Sequence, residues 1–65
     1  MIKVKTFTQK LEIFKTMHEL RDLDEAVNQF LKDNNIGKVI SVSDSTTTDD
    51  KGETMGIIRV LTYQN

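Results

Sequence analysis

The chain contains no cysteine, no proline and no tryptophan, and a single histidine among its 65 residues. Without cysteine, neither a disulfide nor a thiolate zinc site can reinforce a fold of this size. One histidine cannot supply the several nitrogen ligands that a tight transition-metal site needs. An excess of one charge sign is also missing: 9 Lys and Arg stand against 10 Asp and Glu, for a net charge of -1. That balance argues against a protein held on nucleic acid by charge, so nucleic acid is not an expected partner. No apolar run approaches the ~18 residues of a membrane span, so no membrane association is expected either. The opening residues alternate lysine with apolar side chains, unlike a signal peptide, and the expected location is cytoplasmic.

Length restricts the chain to a single small domain over residues 1–65. A chain this short buries only ~60% of its unfolded surface, so self-association is an inexpensive source of further stability.

Residues 1–7 alternate, with Ile2, Val4 and Thr6 on one side and Lys3, Lys5 and Phe7 on the other, which reads as a strand. Leu23, Ala26, Val27, Phe30 and Leu31 form one stripe of an amphipathic helix over residues 22–34. Asp22 and Glu25 have the spacing of a capping box, and Asn34, Asn35 and Gly37 tolerate a left-handed stop. Residues 38–44 and 53–63 read as two further strands, joined through the Asp49-Asp50-Lys51-Gly52 turn, with arms that can extend into Thr46–Thr48. Residues 8–21 have weak periodicity: a short helix, a turn-like lid or an extended stretch through Leu11–Phe14 all fit, and the favoured reading is a loop with a short helical piece. The expected fold is α+β: a three-stranded sheet with one amphipathic helix on one face, in the order β-(irregular)-α-β-β. The last two strands form an antiparallel hairpin. The connection through the helix can bring the second strand beside the first as a parallel neighbour.

The closing strand carries large apolar groups on both faces, and one helix can cover only one of them. Met55, Ile57, Leu61 and Tyr63, joined by Phe7, are the candidate uncovered face and hence a homo-oligomer interface, most simply that of a dimer. On that reading Ile57→Asp or Leu61→Asp shifts sedimentation toward monomer. The competing reading folds residues 8–21 over this face. A second functional class is a small-ligand or nucleotide module with its pocket between subunits or under residues 8–21, charged by Lys3, Lys5 and Arg59.

Chemistry-bearing residues do not converge. His18 and Asp22 stand at i, i+4 without a nucleophile beside them. Asp44, Asp49, Asp50 and Glu53 lack the spacing of a calcium-hand loop, and no glycine-rich phosphate cradle is present. The N-terminal proline of small tautomerases is absent. No cofactor and no enzymatic activity are expected.

Met1–Phe7, the run Asp22-Leu23-Asp24-Glu25-Ala26-Val27-Asn28-Gln29-Phe30-Leu31-Lys32, and Ile36-x-x-Val39-Ile40-Ser41-Val42-Ser43 resemble the small sporulation-associated proteins of bacilli and their relatives in Gram-positive phages. The likeness covers residues 1–7 and 22–43 and, more loosely, the last strand, and departs over residues 8–21. That resemblance implies a small bacterial or phage protein, with no active site to carry over. In topology alone the chain is also similar to the dodecins, which assemble through their sheets and hold flavin between aromatic side chains. With Tyr63 at a strand end and no tryptophan, sheet-mediated assembly is the part of that likeness that applies.

Overall fold

Strand β1 (Ile2–Leu11), helix α1 (Thr16–Asp33), strand β2 (Lys38–Thr48) and strand β3 (Met55–Gln64) follow one another in the computed structural model. It describes residues 1–12, 15–48 and 55–65. The class is α+β, with β2 and β3 forming the expected antiparallel hairpin. Its Asp49–Gly52 turn lies outside the described residues.

Sheet order departs from the expectation. It is β1-β3-β2, with both outer strands antiparallel to β3. The first two strands are therefore parallel in direction but not neighbours, because β3 inserts between them. The strand with apolar side chains on both faces takes the position where both of its edges are hydrogen-bonded. The lysine-bearing and the hydroxyl-rich strands form the edges.

The described residues of 8–21 are strand and helix and not a loop, and Leu11 and Leu20 among them pack against Ile57, so this segment covers part of the face that the competing reading gave it. β1 continues to Leu11, which packs in the core with Leu23 and Ile57. α1 begins at Thr16, well before the Asp22–Glu25 box, which lies mid-helix and caps nothing. Glu12 makes the early start possible. Its carbonyl accepts the Lys15 N–H and the Thr16 hydroxyl, both at 3.0 Å. Its own N–H donates to Oε2 of Glu19 at 2.6 Å. Glu19 is buried in the first turn, so its carboxylate serves both this hydrogen bond and the positive end of the helix dipole. The buried stripe becomes Leu20, Leu23, Val27, Phe30 and Leu31, while Ala26, expected within it, is exposed.

The helix stops where expected. Ile36 N–H donates to Leu31 O at 3.0 Å and Asn35 N–H to Lys32 O at 3.2 Å, the two bonds of a Schellman motif. Asn35 supplies the left-handed residue at φ 51°, and Ile36 packs on the core beside Leu31.

Non-glycine residues in that conformation carry a cost of about 1–2 kcal/mol, least for asparagine. Asn35→Gly is expected to raise the urea midpoint, by less than about 1 kcal/mol in stability. Asn35→Val is expected to lower it by about 1–2 kcal/mol.

Candidate functional site

Cross-strand register assigns the two faces. Met55, Ile57, Arg59, Leu61 and Tyr63 of β3 share a side with Lys3, Lys5, Phe7, Gln9 and Leu11 of β1. α1 packs on this side. Ile57 and Tyr63 are buried, and Leu61 is 0% exposed, beneath Leu23 and Val27. Phe7, Phe30 and Tyr63 form an edge-to-face chain, with ring centroids 5.8 and 5.5 Å apart. The apolar set expected to be bare is thus the helix-covered core. Phe7, Ile57, Leu61 and Tyr63 are internal packing residues, and Met55 alone of that group is largely exposed. The helix selects this side because large groups stand on it at both β1 and β3, whereas Ile2, Val4, Thr6 and Thr8 offer only short side chains on the other.

Arg59 interrupts the core side of β3. Its Nε and Nη2 donate to the two carboxylate oxygens of Asp44 at 2.8 and 3.0 Å, and its Nη1 donates to Asp24 on α1. The bidentate bond joins β3 to the residue directly across from it on β2, and the third bond ties both strands to the helix. The hydrogen bond from Arg59 holds the Asp44 carboxyl below its ordinary range, against a smaller opposing effect of burial. Bonding to Asp44 and then to Asp24 raises the Arg59 guanidinium in turn.

A β-bulge makes this contact possible. Val39 pairs with Tyr63 and Ser41 with Thr62, leaving Ile40 as an extra residue. The step reverses face parity, so that Val42, Asp44 and Thr46 look toward the helix side. Unbroken alternation from Val39 would instead put Asp44 on the far face.

Of the three cations assigned to a ligand pocket, Arg59 is therefore committed to two carboxylates. Lys5 lies over the rings of Phe7 and Phe30, at 5.9 and 5.7 Å from their centroids. Lys3 is on the same side of β1, opposite Tyr63. The three share a face, but Arg59 does not offer a free charge there. His18 and Asp22 pair at 3.5 Å on the helix exterior. Among the described residues no group of three or more His, Cys, Asp or Glu stands ready for a metal, and no helix is long and apolar enough to cross a membrane. Asp49, Asp50 and Glu53 of the acidic turn lie outside the described residues.

The bare face is the opposite one. Ile2, Val4, Thr6 and Thr8 of β1, Ile58, Val60 and Thr62 of β3, and Ser41, Ser43 and Ser45 of β2 share it. Only Lys10 and Lys38, at opposite ends, bring charge to it among the described residues. Ile2 and Val4 are each 65% exposed, and Ile58 and Val60 remain half-buried. A dip of about 550 Å³ opens where Gly56 lacks a side chain, with Thr8 and Thr47 beside it. A Cβ at Gly56 would meet the Thr47 hydroxyl at 3.1 Å.

On the helix side, α1 sits nearest β1 and leaves β2 bare. A groove of about 300 Å³ runs between α1 and β2, with Val27, Leu31, Val39, Val42 and Leu61 along it and the Arg59–Asp24 pair at its border. The total accessible area is 4910 Å², against about 4,200 Å² expected for a compact monomer of 7.5 kDa. The Cα radius of gyration is 13.2 Å, where a compact chain of this length has about 10.7 Å.

No family model matches the chain, and no curated protein or solved structure matches it at a significant level.

Two outcomes follow from this geometry. Leu61→Asp is expected to unfold the chain, seen as loss of the cooperative transition in circular dichroism, because it places an unpaired charge in the core. Because the folded Asp44 is depressed, its ion pair contributes stability above the ordinary carboxylate pKa of about 4, which is lost as pH falls through the lower folded value. Asp44→Asn should flatten the corresponding acid limb of stability against pH, by less than about 1 kcal/mol given that the Asp44 side chain is 40% exposed.

Proposed function

We propose that the chain is a non-enzymatic, self-assembling protein that docks a second copy, and through the assembly a protein partner, on the sheet face opposite α1. The observation that carries this reading is the face itself: three strands wide, lined by β-branched and hydroxyl side chains, and free of carboxylates among the described residues. Such a face fits another of its kind. Two sheets pack about 10 Å apart by interdigitating short side chains, and branched Val, Ile and Thr lose little rotamer freedom in doing so. Solvated sheet faces in single-chain proteins ordinarily carry polar and charged side chains throughout, and this one has charge only at its two ends, Lys10 and Lys38, among the described residues. A three-stranded sheet whose core is confined to one side also has most to gain from covering the other. A small bacterial or phage-type protein, the setting that the sequence resemblance implies, is compatible with a role of this kind.

The ligand-binding alternative is weaker because Arg59, its central cation, is neutralised within the chain.

Val4→Lys combined with Val60→Lys tests the reading without touching the core. Sedimentation of the unaltered chain should give a mass above one subunit that falls on dilution, and the double variant should lose the open-face contact and run at a smaller mass than the unaltered chain, with its far-ultraviolet circular dichroism retained. A wild-type mass of one subunit at every concentration would refute it.

A further inference from the structure

The outer edge of β2 is a second surface, independent of the open face. Among the described residues β2 pairs on one side only, with β3, and every residue from Lys38 to Thr48 is exposed. Past the bulge at Ile40, Ser41–Thr48 keeps regular register, which leaves eight residues of strand with an unpaired edge. The other outer strand is protected differently. β1 carries Lys3, Lys5 and Lys10, and lysine on an edge is a standard obstacle to strand addition. Ser41–Thr48 carries one charge, Asp44, and Arg59 neutralises it from within the chain. The helix side of β2 is also unroofed: Val39 is 42% and Val42 52% exposed.

We infer that β2 pairs antiparallel with β2 of a second copy about a two-fold axis, joining two sheets into one of six strands. The inference shares with the proposed function only the premise that the partner is another copy, and it uses a different surface. A second copy is the occupant that the edge itself favours. An antiparallel pair about a two-fold is self-complementary, so one edge satisfies both chains and leaves no third site to propagate. It sets Ser, Thr and Val against Ser, Thr and Val, cross-strand pairs that stabilise sheets, with no uncompensated charge on either side. A charged peptide would find no counter-charge on this edge. The same arrangement places the partner's side chains beside Val42, on the half of the sheet that α1 does not cover.

The chain lacks cysteine, so each introduced thiol is unique. Single variants Val42→Cys, Ser43→Cys, Ser45→Cys and Thr46→Cys on β2, with Val60→Cys on central β3, are oxidised in the otherwise intact chain, and disulfide-linked dimer is quantified. A disulfide needs Cβ atoms about 4 Å apart. Edge pairing should give a several-fold maximum at one β2 position that declines on both sides, whether that position lies on the helix side or on the open side, with Val60→Cys unlinked by this contact. Cross-linking confined to Ser43→Cys, Ser45→Cys and Val60→Cys would overturn the inference while upholding the open-face interface. Absence of cross-linking at every β2 position would overturn it as well. Linkage at the helix-side positions without Val60→Cys would support the edge and count against the open face.

Discussion

One helix, set over the side of a three-stranded sheet where the large side chains stand, is the constraint on which this molecule depends. Phe7 and Leu11 on β1, with Ile57, Leu61 and Tyr63 on β3, give α1 its footing. β2 contributes only Val39, Val42 and short polar groups to that side, so the helix settles toward β1. Burial follows the same line. Among the described residues the buried side chains lie under α1, and β2 and the far face are left uncovered by the helix.

Arg59 is the exception within that arrangement and holds it together. A guanidinium on the core side would be costly if unpaired, and it is tolerated because Asp44 and Asp24 take up its donors from two other elements. With helix packing absent over β2, this ion triad is the polar tie between α1 and the hairpin. The price of the tie is functional: a cation that could have met a ligand is used for internal alignment.

Much of the fold was legible in the chain, and for identifiable reasons. Alternation in residues 1–7 and the stripe through Leu23, Val27, Phe30 and Leu31 are local signals, and both elements are present. The stop at Asn35 was equally local. The helix start was missed because its determinant is not a spaced motif. Glu19 reaches back to the Glu12 N–H, a contact across a strand end that periodicity does not register. Its only trace in the sequence was an acidic residue ahead of the stripe, and Asp22 and Glu25 offered a more conventional signature nearby. For the site, the sequence implied that one sheet face is left without a helix but placed the wrong one in water. Both sides of β3 are apolar, so the choice rests on its neighbours. Phe7 and Leu11 decide it, and Leu11 lies in the segment whose periodicity is weak.

Composition and periodicity by themselves determined the α+β class, the closing hairpin, the absence of thiolate chemistry and the insufficiency of a single helix to cover both sheet faces. Each of these depends on residue type and on spacing along the chain. Tertiary structure alone decided that β3 would lie between β1 and β2, that the bulge at Ile40 would turn Asp44 toward Arg59, and that the hydroxyl-lined face would remain open. Those outcomes depend on hydrogen-bond pairing and side-chain volume between residues distant in sequence, which no local pattern encodes.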